Sequence, residues 1–167
     1  NYTVKNHVLK PSINIPKKDV NLYISDKLKP TVNGVKIEPH YHQIDAITHA
    51  INNERCLLLS PRGSGKSLII YSLVRYCESV LPKDKKILIV VPTTGLVSQM
   101  YNDFKDYSSK DSWDADKNCH TIYAGQDKVT KKRVVISTWQ SIYKMSEKYF
   151  SQFGAVFGDE CHLFKSK

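Results

Sequence analysis

The 167-residue sequence lacks several features that would assign it to common protein classes. Its longest uninterrupted apolar run is Ile87–Val91, far short of the roughly 18 residues that a membrane-spanning helix needs. Its four cysteines, Cys56, Cys77, Cys119 and Cys161, form no C-x-x-C pair, which argues against a zinc site and favours reduced thiols. No basic-then-apolar leader opens the chain, so we expect a cytoplasmic protein that has no membrane partner.

Acidic residues are fewer than basic ones. The formal net charge is therefore +9 at neutral pH, and the isoelectric point is near 9.3. Residues 1–37 hold seven lysines but only two aspartates, and a second basic run covers residues 131–133. A basic surface favours polyanion partners, because lysine and arginine release the counterions that surround phosphates. Each run fits phosphate contact and a merely solvated face about equally well.

The chain divides by pattern into residues 1–37 and residues 38–167. The first part contains three prolines and shows no helical periodicity, while Asn33-Gly34 between two valines predicts a tight hairpin turn. We interpret residues 1–37 as a small β-rich or irregular appendage or linker with a hairpin. Residues 38–167 are predicted to form one domain.

Helical and strand patterns alternate through the second part. The predicted helices cover residues 42–53, 66–81, 95–107 and 141–150, and the predicted strands cover residues 56–60, 87–91, 120–124, 134–139 and 155–158. Residues 108–118 are polar and read as a loop. Strands that alternate with helices imply βαβ units, so the predicted fold class is α/β, with a parallel sheet flanked by helices.

A glycine-rich segment, Ser60–Ser67, joins the first predicted strand of this domain to the long helix. It ends in Gly-Lys-Ser as the P-loop pattern does, although serine replaces the first glycine of that pattern. The glycines let several backbone N–H groups face one phosphate, the lysine neutralises the β- and γ-phosphates, and the serine hydroxyl ligates Mg²⁺. The predicted ATP contacts from this segment are Arg62, Gly63, Ser64, Gly65, Lys66 and Ser67.

An acid pair follows the last predicted strand, in the segment Asp159-Glu160-Cys161-His162. Asp159 is predicted to hold Mg²⁺, largely through water, and Glu160 to polarise the water that attacks the γ-phosphate. His162 is predicted to couple the γ-phosphate state to a neighbouring lobe. A GTPase is disfavoured, because no N-K-x-D segment is present to read guanine.

These segments together resemble the motifs of the superfamily 2 helicases, in their D-E-x-H branch. The family's first motif often begins with alanine or serine, as it does here at Ser60, and its second motif matches residues 159–162. The segment 39–47 resembles the one whose glutamine reads adenine, so Tyr41 and Gln43 become predicted ATP contacts. The resemblance implies a RecA-like P-loop lobe that uses ATP and Mg²⁺.

Two further segments resemble the family motifs that grip the backbone of one nucleic-acid strand. They are residues 91–99 and residues 137–141, at predicted junctions between a strand and a helix. The implied nucleic-acid contacts are Thr93, Thr94, Gln99, Thr138, Trp139 and Gln140. The implied partner is single-stranded or branched DNA, and RNA stays open because a backbone grip does not identify the sugar.

The resemblance implies the first motor lobe of an ATP-dependent DNA helicase or translocase that acts in recombination, repair or branch migration. Two alternatives stay open: the motor lobe of a restriction-type translocase of duplex DNA, and a non-catalytic nucleic-acid-binding module. The family also needs a second RecA-like lobe of the same polypeptide, whose arginines complete the ATP site. We therefore expect this chain alone to bind nucleotide weakly and to hydrolyse little of it.

Overall fold

The computed structural model describes residues 14–53, 55–123 and 125–163. The helices are α1 (Lys17–Leu22), which continues into a π-helix (Tyr23–Leu28), α2 (Tyr41–Asn52), α3 (Lys66–Val80), α4 (Thr94–Tyr107), α5 (Ala115–Asn118), α6 (Trp139–Ile142) and α7 (Glu147–Phe150). The strands are β1 (Thr31–Val32), β2 (Val35–Lys36), β3 (Lys86–Val91), β4 (Cys119–Ile122), β5 (Val134–Thr138) and β6 (Phe153–Gly158). A 3₁₀ turn, Cys161–Leu163, follows β6.

Four strands form a parallel sheet in the order β4-β5-β3-β6. Side chains alternate between its two faces, because successive residues of a strand point to opposite sides. Ile87 and Ile89 join the large core on one face, while Leu88 joins a smaller cluster on the other. Helices α3 and α4 pack over the large core, and Ile142 of α6 packs into the smaller cluster. The predicted α/β class with helices on both faces is confirmed.

The predicted strand over residues 56–60 is wrong, because no strand forms there. A strand is stable only when its backbone groups pair with a neighbouring strand. Strand β6 lies at the edge of the sheet and, among the described strands, hydrogen-bonds to β3 alone, so residues 56–60 do not pair with it. Leu57 and Leu59 are therefore 68% and 90% exposed, and Val156 of β6 is 61% exposed. The segment before the glycine-rich loop is extended but unpaired within the described part of the chain.

The N-terminal region contains a helix that the sequence pattern did not predict. Val20, Ile24 and Leu28 are all buried and recur at intervals of four residues, which is a helical spacing. The hydrogen bond from the Lys29 N–H to the Ile24 carbonyl spans five residues, as in a π-helix. The predicted hairpin is confirmed, with Asn33 and Gly34 both at positive φ in the turn between β1 and β2.

Helix α1 packs against α2, and its buried side chains belong to the same core as the sheet. The backbone of Ile15 exchanges two hydrogen bonds with the Asn52 side chain, and Lys17 pairs with Asp45. The boundary between an appendage at 1–37 and a domain at 38–167 stays a prediction, and residues 1–13 lie outside the described residues.

Two other predicted elements differ in detail. The helix expected over residues 141–150 is wrong as a single element, because α6 ends at Ile142 and α7 starts separately behind Ser146, whose side chain accepts a hydrogen bond from the Tyr149 N–H. The polar stretch 108–118 is mostly loop, but its last four residues form the short helix α5, which Asp114 caps at the N-terminus. All four cysteines are free, as predicted, and no described helix is long and apolar enough to cross a bilayer.

Candidate nucleotide site

The glycine-rich loop enters α3 through two glycines in the left-handed region. Gly63 and Gly65 both have a φ of 75°, and Gly65 is the residue that caps α3. The α3 ladder begins at the Gly65 carbonyl, which accepts hydrogen bonds from the N–H groups of Leu68 and Ile69. The first N–H groups of α3 are thus free to face an anion, and the helix dipole favours negative charge there.

Ser60 has a structural reason to stand where the P-loop pattern has glycine. Its hydroxyl contacts the Ser64 hydroxyl across the loop, and Ser64 Oγ also donates to the Pro61 carbonyl at 2.8 Å. These two contacts close the loop on itself before α3 begins. The Ser60 side chain therefore helps to keep the phosphate loop compact through a hydrogen bond that a glycine at this position could not make.

The acid pair lies beside this loop. Asp159 follows the C-terminal end of β6, where its N–H donates to the Val90 carbonyl of β3, and its side chain is buried. Glu160 takes a positive φ of 50°, and its carboxylate forms an ion pair with Lys66 Nζ at 2.9 Å. The side chains of Lys66 and Glu160 are 26% and 24% exposed, so the pair lines a surface that a ligand can reach. Segments almost a hundred residues apart in sequence meet here.

The two carboxyl groups differ in their environment. The hydrogen bond from Lys66 lowers the pKa of Glu160 below its ordinary value, assisted by the positive charges nearby. Burial raises the pKa of Asp159, and the neighbouring Glu160 charge raises it further against the opposing effect of Lys66. Asp159 is therefore a carboxylate that a nearby cation would stabilise.

The residues available here suit Mg²⁺ rather than a metal that needs a closed protein cage. Asp159 and Ser67 offer a carboxylate and a hydroxyl, both hard oxygen donors. Among the described residues no cluster of three or more His, Cys, Asp or Glu side chains is arranged to hold a metal. Mg²⁺ is normally bound through one or two protein oxygens together with water and substrate phosphates, which fits this donor set.

A cleft of about 660 Å³ opens next to the loop and is lined by residues from 37 to 43, by the loop glycines and by Tyr107. Tyr41 is 80% exposed at its mouth. Gln43 is buried, and its amide nitrogen donates to the Ser64 carbonyl at 3.0 Å while its oxygen accepts from the His40 N–H at 2.8 Å. Its amide braces the phosphate loop in this structure, and its role in reading adenine stays a prediction.

His162 lies on the solvent side of the acid pair. Its Nδ1 atom is 3.5 Å from a Glu160 carboxylate oxygen, and its side chain is 68% exposed. A position beside Glu160 and open to solvent is compatible with the predicted contact to another lobe. That contact stays a prediction.

The predicted nucleic-acid residues gather at the same edge of the sheet. Thr93 caps α4 by accepting the Leu96 N–H, and Thr94 beside it is exposed. The ends of β3 and β5 are neighbours in register, and the Gln140 amide donates to the Pro92 carbonyl at 3.4 Å, which joins the two segments. This is the carboxyl edge of a parallel sheet, where ligands of α/β proteins bind.

The members of this group differ in how available their side chains are. Gln99 is exposed on α4, and Trp139 is half-buried with its ring edge-on to Tyr143. Thr138 is 4% exposed and its hydroxyl is paired with Ser141, so its side chain is committed to the fold. The contact of any of them with nucleic acid stays a prediction.

The basic run at 131–133 makes contacts within the fold at the opposite, amino-terminal edge of the sheet. Lys132 donates to the Asp116 carbonyl at 2.7 Å, and the Arg133 guanidinium donates to the Leu81 carbonyl at 3.0 Å. Both residues precede β5, so they lie at the end of the strand opposite to its carboxyl end. These contacts favour the structural interpretation of this run over phosphate binding.

Comparison with known proteins now places the chain. Residues 36–167 match the model of the family described as "Type III restriction enzyme, res subunit". The chain belongs to this family. The superfamily 2 helicase assignment predicted from the motifs is thereby confirmed.

Individual members and relatives of this family agree with the assignment. The chain is 39% identical over 165 residues to the ATP-dependent DNA helicase UvsW of Enterobacteria phage T4, covering 94% of this chain and 32% of that protein. It is 26% identical to the DNA 3′-5′ translocase XPB2 of Sulfurisphaera tokodaii, over 79% of this chain and 27% of that one. The chain thus spans about a third of the length of the curated relatives it matches.

A solved structure shows the same fold. The crystal structure of T4 UvsW superposes with a TM-score of 0.81 at 36% identity, covering 93% of this chain and 54% of that one. The residues around the motifs, such as Phe150–Gly154 before the acid pair, also resemble those of UvsW and predict this similarity. The predicted RecA-like lobe and the predicted similarity to UvsW are both confirmed.

Sequence reasoning missed one polar contact at the loop of this family member. The Tyr107 hydroxyl, at the end of α4, is 2.8 Å from Ser67 Oγ. The pattern predicted Tyr107 only as part of the apolar side of α4. Forty residues separate the two hydroxyls, so no local spacing in the sequence signals their meeting.

Proposed function

We propose that the chain is the first ATP-binding lobe of an ATP-dependent DNA helicase or translocase, acting in recombination, repair or branch migration. The observation that carries the proposal is the 2.9 Å ion pair between Lys66 of the phosphate loop and Glu160 of the acid pair. It supports the proposal because a P-loop motor needs its phosphate-binding lysine and its water-polarising acid at one site. The relatives named DNA helicase and DNA translocase support a DNA substrate.

The ion pair suggests how the site changes when ATP binds. Lys66 leaves Glu160 for the β- and γ-phosphate oxygens, which carry more negative charge than one carboxylate. Glu160 then has a free carboxylate oxygen that orients the attacking water, and Asp159 and Ser67 would hold Mg²⁺. Bound Mg²⁺ would neutralise charge on the phosphate oxygens. In this proposal Gln43 and Tyr41 contact the adenine end, and Arg62, Gly63 and Ser64 the phosphates.

The nucleic-acid partner follows from the arrangement at the carboxyl edge of the sheet. Thr93, Thr94 and Gln99 at the start of α4, with Trp139 and Gln140 beyond β5, present exposed or half-exposed polar and aromatic groups at this edge. Such groups suit the backbone of a single strand of DNA, which carries a phosphate at each step. RNA is the second partner to test.

A cytoplasmic location in a phage-infected bacterium is proposed from the UvsW similarity.

ATP turnover by the complete gene product tests the proposal. We expect single-stranded, duplex or forked DNA to stimulate hydrolysis, and Lys66→Ala to abolish that stimulation. Lys105→Ala is the matched control, because Lys105 forms a similar 2.9 Å pair with Asp116, which is not part of the acid pair. Full DNA-stimulated turnover in Lys66→Ala would contradict the role of Lys66, whereas DNA binding without turnover in the unaltered protein would support a non-catalytic module.

A restriction-type translocase of duplex DNA is the second candidate, and the description of the matched family favours it. The two candidates differ in whether strands separate. A helicase unwinds a forked duplex, whereas a translocase displaces a third strand from a triplex without unwinding the duplex. We expect unwinding of the fork, and triplex displacement without unwinding would favour the translocase.

The chain alone is expected to bind nucleotide weakly and to turn over little of it, because a second RecA-like lobe of the same polypeptide is proposed to complete the site. An ATPase assay on the 167 residues measures this directly. Robust DNA-stimulated turnover by the isolated chain would contradict the need for that lobe.

A further inference from the structure

Helix α4 touches the phosphate loop at one point, through the hydroxyl of its last residue. The Tyr107 hydroxyl is 2.8 Å from Ser67 Oγ, and Ser67 is the second residue of α3. Tyr107 is 9% exposed, so this hydrogen bond lies in a buried setting, where its geometry is well defined. The tyrosine therefore holds the one side chain of the loop that is predicted to meet the metal.

Packing fixes the Tyr107 ring independently of its hydroxyl. The ring lies 5.5 Å from that of Tyr71 on α3 and borders the cleft beside the loop. A phenylalanine would keep the ring contacts and lose only the hydroxyl. Burial raises the pKa of Tyr107, so its phenol stays protonated through the neutral range and can both donate and accept.

Tyr107 is the α4 residue that hydrogen-bonds to Ser67, and it does not belong to the motifs that predict the nucleotide site.

The chemistry of a serine ligand explains why such partners matter. A hydroxyl that gives a lone pair to a cation must point its proton away from that cation, and the proton then needs an acceptor. The Tyr107 oxygen is such an acceptor on the side of α4. A proton donated to it would leave an Oγ lone pair directed away from α4, for the phosphate and its metal.

We propose that Tyr107 is a positioning residue that orients the Ser67 hydroxyl for the magnesium complex of the nucleotide. This inference rests on the proposed function of the loop. It assigns to the end of α4 a role in metal-dependent nucleotide binding, while the start of the same helix carries the predicted nucleic-acid contacts at Thr93 and Thr94. A purely structural role for Tyr107 would affect nucleotide binding with and without the metal alike.

The test is equilibrium binding of a fluorescent ATP analogue to the complete gene product, measured with Mg²⁺ and again in EDTA. Tyr107→Phe should weaken binding about five- to tenfold with Mg²⁺, the effect of one hydrogen bond, and leave binding in EDTA within about twofold. Tyr101→Phe is the matched control, because its hydroxyl on the same helix bonds Asp116 instead. We expect the control to change neither measurement.

A double-variant measurement shows whether Tyr107 acts through Ser67. In a Ser67→Ala background, Tyr107→Phe should cause no further loss of Mg²⁺-dependent binding, because the hydroxyl it positions is gone. Should Tyr107→Phe lower the unfolding midpoint more than Tyr101→Phe does, the ratio of its binding constants with Mg²⁺ and in EDTA, both measured on folded protein, still decides the test.

Three results would overturn the inference: unchanged binding in Tyr107→Phe, an equal loss with and without Mg²⁺, or a full additional loss in the Ser67→Ala background. Failure of the unaltered protein to bind the analogue under any condition is a different result. It would remove the proposed function itself, and this inference with it.

Discussion

Replacement of Gly65 by alanine should destabilise the fold more than the same change at Gly63, although the two glycines share one backbone conformation. Both have a φ of 75°, where an alanine costs about 1–2 kcal/mol. A Cβ at Gly63 meets nothing within 4 Å. A Cβ at Gly65 collides with the amide nitrogen of Gln43, whose side chain must move.

The extra cost at Gly65 can be worked from the bonds that Gln43 makes. Its amide donates to the Ser64 carbonyl at 3.0 Å and accepts from the His40 N–H at 2.8 Å. Two such hydrogen bonds contribute about 1–3 kcal/mol together. Gly63→Ala should therefore lower the free energy of unfolding by about 1–2 kcal/mol, and Gly65→Ala by about 2–5 kcal/mol.

Urea unfolding followed by circular dichroism measures both variants, and a third variant isolates the contact. In a Gln43→Ala background the collision is absent, so Gly65→Ala should cost only the backbone strain of about 1–2 kcal/mol. Equal losses in Gly63→Ala and Gly65→Ala, or no coupling between positions 43 and 65, would refute the claim that Gln43 braces the phosphate loop.

Two further predictions concern charged pairs. Asp111→Ala should lower the free energy of unfolding by about 1.5–3 kcal/mol, because Arg75, only 14% exposed, loses a charged hydrogen bond and keeps Glu78 at 3.8 Å. Lys105→Ala in an exposed pair should cost less than about 1 kcal/mol. Similar urea midpoints for the two variants would contradict this. Lys66 lowers the pKa of Glu160 below its ordinary value near 4.5, so the pair stabilises the fold fully above that pH and loses this effect as the pH falls through the lowered pKa. Glu160→Gln should flatten that part of an acid-unfolding curve, and an unchanged curve would contradict the ion pair.

The sequence predicted the parts of the fold that local pattern determines. The bounds of α3 and α4 were predicted to within a residue, because the helical period is visible in residues that are close in sequence. The helix over residues 17–28 was missed because prolines on either side concealed its buried spacing of four. The strand at 56–60 was predicted from apolar composition, but a strand also needs a partner, which composition does not reveal.

The candidate site divides in the same way. Lys66 and Glu160 were predicted to act at one nucleotide site because two known motifs name them, and the structure brings the two side chains together as an ion pair. Gln43 was identified from its motif, but its bond to the loop backbone depends on how α2 packs and has no local signature. Tyr107 carried no signal beyond an apolar helix position, since its contact with Ser67 is made only by the packing of α4 against α3.

The central claim is that the phosphate loop and the acid pair bind one nucleotide together. A titration of the isotope-labelled chain with a non-hydrolysable ATP analogue and Mg²⁺, followed by backbone amide resonances, tests it most directly. We predict that the amides of residues 63–67 and of residues 159–160 shift together, with a single dissociation constant. A response of the loop without the acid pair, or of the two segments at different concentrations, would contradict the account.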